Sequence, residues 1–436
     1  MARLAWVGGV AVVGVVAAAA GVALHVSDLP GSPDPAPTSA ASAPTPGEAG
    51  PATVAAQEPL QPGASAEQLL DADQIGRLDP DVGWRVVSTT TQPTRTDLAY
   101  TACRDQAAAD LDRTAAHVRT FAARGGRQWA VEEIEVSASL AAAAAAQRRA
   151  VRWYAGCQAP RVQLTDALAL RDQGTTVTVL ELRRWSDPVR TITVAVARSG
   201  LVTLSLVHET DAASGPSRAG LGQSILDALA MLCPTSGGRC GLTGQLRSAS
   251  LPATGEPAGF VGVVDLPPVP GVDTPWVGTG ADPATVNPAA TLCDQTSFEG
   301  GGVRAGRSRT LVLPREDLPV QFGISQSVGR VATAAAAERF IDGVAARMAS
   351  CPDRELGVEV RAVAGVSAGD VSGRIWLVSY ELPSGAVNFR VAVVRNGSAV
   401  TQLTLSPTAS YDMGAAPFER LAVRAGVRLE ELTPAA

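Results

Sequence analysis

Residues 138–157 read ASLAAAAAAQRRAVRWYAGC, and residues 332–351 read ATAAAAERFIDGVAARMASC. The two stretches have the same length, open on alanines and close on a cysteine. Phe340, Val344 and Met348 recur at i, i+4 and i+8 in the second, and Ala146, Ala150 and Tyr154 take the same places in the first. That spacing puts one apolar stripe on each of two helices. Each closing cysteine has an upstream partner at a similar distance, Cys103 for Cys157 and Cys293 for Cys351. A pattern written twice at this period is the mark of an internal repeat.

Downstream the correspondence continues. Residues 193–200 read TVAVARSG and residues 390–397 read RVAVVRNG, each followed by an alternating segment at 201–206 and 400–405. Ser199-Gly200 and Asn396-Gly397 tolerate the positive φ of a two-residue hairpin turn, so both are read as β-hairpins. Earlier strands are expected at 176–182 and 374–382, and closing helices at 218–232 and 417–425. Trp84 and Trp276 precede the first cysteine of each copy and read as core anchors. Each copy is therefore expected to run strand, Cys-bearing helix, strand, Ala-rich helix, three or four antiparallel strands and a helix. The fold class is α+β: two tandem repeats, each an antiparallel sheet packed against helices and stapled by a disulfide, after an N-terminal transmembrane anchor. A duplicated unit should duplicate its bridge, which pairs Cys103 with Cys157 and Cys293 with Cys351. Cys233 and Cys240 then staple the turn after the first closing helix.

The N-terminus carries its own signal. Residues 4–24 hold no charge and follow Arg3, enough for a helix of roughly 31 Å that matches a bilayer core. Segment 1–25 is read as a signal anchor, with a cleaved signal peptide as the alternative because of the alanines at 17–20. Between Pro30 and Pro62 lie nine prolines among Ala, Ser, Thr and Gly, a composition that cannot offset chain entropy, so 26–64 is read as a disordered tether. Folded structure should begin at the Ser65–Gln68 capping-box spacing, with Leu69, Leu70, Ile75 and Leu78 as its apolar side. The expected divisions are 65–245 for the first domain, 246–275 for a linker and the start of the second, and 276–436 for the second.

Composition excludes several chemistries. All 36 basic residues are arginines, against 42 acidic ones, so no amine serves a P-loop, a protein-kinase site, a Schiff base or a Ser-x-x-Lys hydrolase. A net charge of −6 without a basic run gives no footprint for nucleic acid. The G-x-S-x-G at 365–369 lacks a downstream histidine and a strand-to-helix elbow, and reads as a turn between strands. Glu132, Glu133 and Glu135 form the one tight acidic cluster, with Glu133 and Glu135 expected on the solvated face of an edge-like strand. His208 is expected in a loop. Arg183, Arg184 and Trp185 combine bidentate donors with a stacking surface and are the candidate ligand-binding residues. No metal, cofactor or catalytic residue is expected.

This order of features resembles the PknH-like extracellular sensor domain of actinobacterial envelope proteins, which occurs as the outer part of certain receptor kinases and in stand-alone lipoproteins and anchored proteins. The resemblance covers both halves of residues 67–436. It implies an α+β fold with a disulfide-stapled central sheet and a cleft for an unidentified ligand. The chain departs from it in having two copies and no kinase domain. The expectation is a non-catalytic binding or sensor protein at the outer side of the cell membrane, or secreted if the signal is cleaved. Its partner would be an envelope lipid, glycan or peptidoglycan fragment, or another envelope protein. The alternatives are a structural partner of another envelope protein and a hydrolase or transferase using carboxylates such as Glu133 and Glu135.

Overall fold

The computed structural model describes residues 63–94, 102–104, 106–172, 174–315, 318–319, 322–383, 385–406, 408 and 411–432. The expected anchor and almost all of the tether lie outside these residues. Among the described residues no helix is long and apolar enough to cross a membrane.

The first half begins with a 3-10 turn at Ala66–Gln68 and a short helix, α1 (Ala72–Ile75), capped by Asp71 through the amides of Asp73 and Gln74. It continues through β1 (Trp84–Thr91), β2 (Ala115–Ala123), β3 (Gln128–Val136), α2 (Leu140–Ala155), β4 (Val162–Asp172), β5 (Thr175–Arg184), β6 (Arg190–Ser199), β7 (Val202–Thr210), α3 (Arg218–Ser236) and the two-residue β8 (Arg247–Ser248). The second half has short edge strands β9 (Val277–Gly278) and β10 (Asp282–Pro283). It then runs β11 (Arg304–Val312), β12 (Gly323–Arg330), α4 (Ala334–Ala349), α5 (Cys351–Arg354), β13 (Val358–Ala368), β14 (Val371–Leu382), β15 (Gly385–Asn396), β16 (Ala399–Ser406) and α6 (Ala415–Arg428).

The fold is α+β, with two antiparallel sheets and three disulfides. The strand orders are β1-β2-β3-β7-β6-β5-β4-β8 and β10-β11-β12-β16-β15-β14-β13, so β2 to β7 have counterparts in β11 to β16. Each sheet is covered on both faces. In β6, Ile192, Val194 and Val196 face Ala146, Ala150 and Tyr154 of α2, while Ala195 and Ala197 face Ile225 and Leu229 of α3. In β15, Val391 and Val393 face Ile341, Val344 and Met348 of α4, while Ala392 and Val394 face Phe418 and Leu421 of α6. Burial on both faces explains why these strands read as nearly continuous apolar runs.

The hairpin turns form as their sequences require. Gly200 has φ +54° and Gly397 φ +57°. Gly200 is fixed twice over, because a Cβ there would lie 2.0 Å from the Ser236 carbonyl oxygen at the end of α3. Asn396 makes the matching contact in the second half, donating from Nδ2 to Gly426 O of α6.

Two expectations need correction. Cys103 and Cys293 sit in turns rather than on helices, and Cys103 has φ +73°. The Ala- and Asp-rich run at 106–112 has helical propensity, but the chain there must turn to bring Cys103 within 4.8 Å (Cα–Cα) of Cys157. Three strands, β1 to β3, therefore precede α2 in place of strand, helix, strand.

The segment between α3 and β9 is packed. Phe260, Val261, Val264, Leu266, Val269 and Val272 are all buried. Val261, Leu266, Val269 and Val272 join the core under α6, and Val264 joins the core under α2.

Candidate functional site

The three glutamates of β3 are the first group to place. β3 is not an edge strand but lies between β2 and β7, and Glu132, Glu133 and Glu135 are 0%, 4% and 2% exposed. The expected solvated face is thus a buried polar layer. Glu133 pairs with both Nη atoms of Arg104, whose guanidinium lies 5.0 Å from the centre of the Trp153 ring. Glu135 accepts the amides of Ala109 at 2.8 Å and Asp110 at 2.7 Å, so these two carboxylates hold the loop after Cys103 against the sheet. Burial, with Glu133 adding to it, pushes the Glu135 carboxyl above its usual range.

Glu132 points the other way and accepts the Leu70 amide at 2.7 Å. Burial raises its pKa to about 8 despite that amide and Arg119. His208 is inside β7 rather than in a loop, 2% exposed, and its Nε2 lies 3.0 Å from Gln128 Oε1. Burial lowers its pKa to about 4, so it is neutral and Nε2–H is the donor. In the G-x-S-x-G stretch, Ser367 is exposed at the end of β13 and Gly369, with φ +59°, begins the turn to β14.

The cluster at 183–185 lies where the two halves of the chain meet. Alternation along β5 and beyond sends Arg183 and Trp185 to one side and Arg184 to the other. Arg184 meets Glu209 at 3.5 Å, and Arg190 shares that carboxylate at 3.1 Å. Arg183 lies over the Trp185 ring at 5.2 Å and donates from Nη2 to Ala213 O at 2.8 Å. Trp185 is held in place: its Nε1 donates to Gln163 Oε1 at 3.2 Å, and Gln163 Nε2 donates to Asp265 O at 3.2 Å.

The opposite wall comes from the far end of the chain. The β4–β5 ladder shifts register between Leu164 and Asp166, a bulge at Thr165. A bulge leaves ladder groups unpaired, and Arg424 of α6 takes up the carbonyls of Leu164 and Thr165 with Nη2 at 3.2 and 3.0 Å. One helical turn earlier, Arg420 is exposed. Arg424 Nη1 lies 3.7 Å from Asp265 Oδ1. That carboxylate is already chelated by Arg428, Nε to Oδ2 and Nη2 to Oδ1, both at 2.9 Å.

Gln163, Arg183, Trp185, Asp265, Arg420 and Arg424 thus line a cleft of about 400 Å³. That volume lies within the usual range of small-molecule sites. Arg183 Nε and Arg424 Nη1 are buried without a hydrogen-bond acceptor among the described residues. Burial, and Arg428 nearby, depress the Arg424 pKa.

Of the three candidate residues read from the sequence, Arg183 and Trp185 line this cleft and Arg184 does not. Gln163, Arg420 and Arg424 were missed. A signal existed for two of them, since Arg420 and Arg424 are four apart on the closing helix and share one face. Nothing local says that this face meets a strand 260 residues earlier. Among the described residues no group of three His, Cys, Asp or Glu side chains could hold a metal ion. Comparison of the chain with protein-family models and with curated proteins yields no match.

Proposed function

We propose that the protein is a non-catalytic binding or sensor module held at the outer face of a cell membrane by residues 1–25. In this reading residues 26–64 are the tether, and the two halves are tandem copies of one unit related to the PknH-like sensor domain. Its ligand is an envelope lipid, glycan or peptidoglycan fragment. The observation that carries the reading is the cleft between the halves. Its walls come from β4–β5 on one side and α6 on the other, and buried guanidinium donors lack acceptors there among the described residues. An unpaired buried donor costs about 1–3 kcal/mol, and a ligand that supplies acceptors recovers that cost.

The carboxylates that would serve a hydrolase support binding instead. Glu133 and Glu135 are engaged by Arg104 and by main-chain amides and are almost fully buried, so their acceptor capacity goes to holding a loop. Native mass spectrometry of the full chain in detergent, before and after exposure to a lipid and glycan extract of its own envelope, tests the reading. A discrete added mass that disappears in Trp185→Ala is the expected result. No adduct, or an adduct of equal abundance in that variant, refutes the cleft as the binding site.

A further inference from the structure

We infer that the cleft takes a phosphoryl group, carried on a sugar- or polyol-sized body, with the phosphoryl oxygens held by Arg420 and Arg424 from one side and Arg183 from the other. The inference rests on the binding-module reading and adds the ligand class to it.

Charge is the first argument. Three guanidinium groups line the cleft against one carboxylate, Asp265, and that carboxylate is already chelated by Arg428. Asp166 acts on Arg424 and Glu181 on Arg183 from outside the lining, and Arg420 has no ion pair among the described residues, so positive charge remains in excess at the cleft. A phosphate monoester brings up to two charges and three acceptor oxygens, and a phosphodiester brings one charge on two non-bridging oxygens that a guanidinium fork can take together.

Donor geometry is the second. Arg424 spends Nη2 on the two bulge carbonyls and keeps Nη1 without a hydrogen bond to the described residues. Arg183 spends Nη2 on Ala213 O and keeps Nε. Arg420, one turn from Arg424, has no ion pair among the described residues and its whole fork is available. Guanidinium forks are suited to phosphate oxygens. Trp185, fixed by Gln163, supplies a flat apolar surface for the body of the ligand. A volume of about 400 Å³ accommodates one sugar or polyol ring with its phosphate.

Two sources share this chemistry, a free phosphate monoester and the phosphodiester headgroup of a lipid. Isothermal titration of the full chain in detergent with glucose 1-phosphate, glycerophosphoinositol and glucose separates them. The phosphate esters are expected to bind with an affinity that falls as salt is added, and glucose to bind at least tenfold more weakly. Preference for glucose 1-phosphate assigns the free monoester, and preference for glycerophosphoinositol assigns the lipid headgroup. Arg420→Gln, at an exposed position outside the core, is expected to weaken the better ester about tenfold, the scale of one charged hydrogen bond. Arg424→Gln should weaken it too, but that side chain also joins the two halves. Binding of both esters no tighter than glucose, or an unchanged affinity of the better ester in Arg420→Gln, overturns the phosphoryl assignment. If neither ester binds while Trp185→Ala still abolishes the extract-derived adduct, the cleft binds another class of ligand, and only the present inference fails.

Discussion

Glu132 and Gln326 occupy the same place in their two sheets. Glu132 stands opposite Leu206 of β7 and accepts the Leu70 amide at 2.7 Å, and Gln326 stands opposite Leu403 of β16 and accepts the Val261 amide at 2.9 Å. One half thus uses a neutral amide where the other uses a carboxyl that burial keeps protonated up to about pH 8. Between the ordinary value of 4.5 and about 8, the folded protein holds a proton that the unfolded chain has lost. Stability from this group is complete below pH 4.5 and is lost as pH rises toward 8, by at most about 1.4 kcal/mol per pH unit. Glu132→Gln should match the parent at pH 5 and exceed it at pH 8 in urea titrations. Glu135, also raised, leaves a slope of the same sign over a narrower window in the variant. Parallel curves for parent and variant from pH 5 to 8 would contradict a protonated Glu132.

His208 works in the other direction. Its folded pKa of about 4 lies below the ordinary 6.5, so the unfolded chain binds the extra proton as pH falls through that window. Stability is present above pH 6.5 and is lost toward pH 4. The windows of His208 and Glu132 overlap, so the comparison belongs in a Glu132→Gln background. Glu135 keeps a slope of opposite sign there, so the readout is the difference in Tm between that background with and without His208→Gln, which should shift in favour of the His208→Gln variant as pH falls from 6 to 4.5.

The Asp265–Arg428 pair is buried at both ends, 2% and 1% exposed. Arg428→Met leaves the carboxylate with the Gly262 amide at 2.9 Å and Arg424 at 3.7 Å. Breaking a buried pair from one side costs about 3–5 kcal/mol. Asp265→Asn combined with Arg428→Met should recover much of that loss in denaturant unfolding. A loss below about 1 kcal/mol for the single variant would mean that water reaches the carboxylate.

The three bridges should differ in worth. Cys103–Cys157 and Cys293–Cys351 close loops of 54 and 58 residues, and Cys233–Cys240 closes one of 7. Chain entropy assigns roughly 4 kcal/mol to each long loop and roughly 2.4 kcal/mol to the short one. Replacing each pair by serines and measuring denaturant midpoints checks the order. A short bridge that costs as much as a long one would shift the account from the unfolded chain to native contacts at the end of α3.

The parts of the fold legible in the sequence are those whose cause is local. The stripe of Phe340, Val344 and Met348 needs one helix to be seen, and Asn396-Gly397 needs one turn. The region between Trp84 and Ala138 was harder to read. Residues 115–123, AAHVRTFAA, become strand β2 because β1 and β3 pair with them on either side, and alanine gives no alternation to announce it. The glutamates of β3 misled for a related reason. Three acids within four residues describe a solvated strand, unless the segment at Leu70 covers one face and the loop after Cys103, with Arg104, the other. Half of the cleft was visible as Arg183 and Trp185, while its second wall depends on where α6 docks.

The bulge at Thr165 places a condition on the order in which the chain acquires its structure. Arg424, which takes up the carbonyls of Leu164 and Thr165, is separated from them by 260 and 259 residues. At about 5–20 residues per second, roughly 13 to 52 s of synthesis separate the two. Once β8 is made the first sheet has all its strands, yet until α6 arrives the stretch of β4 around Leu164 and Thr165, beyond the two residues that β8 covers, is hydrated and open to other chains. The last helix made is the one that closes the first sheet, so a message cut short before α6 yields a first half with an exposed, adhesive border.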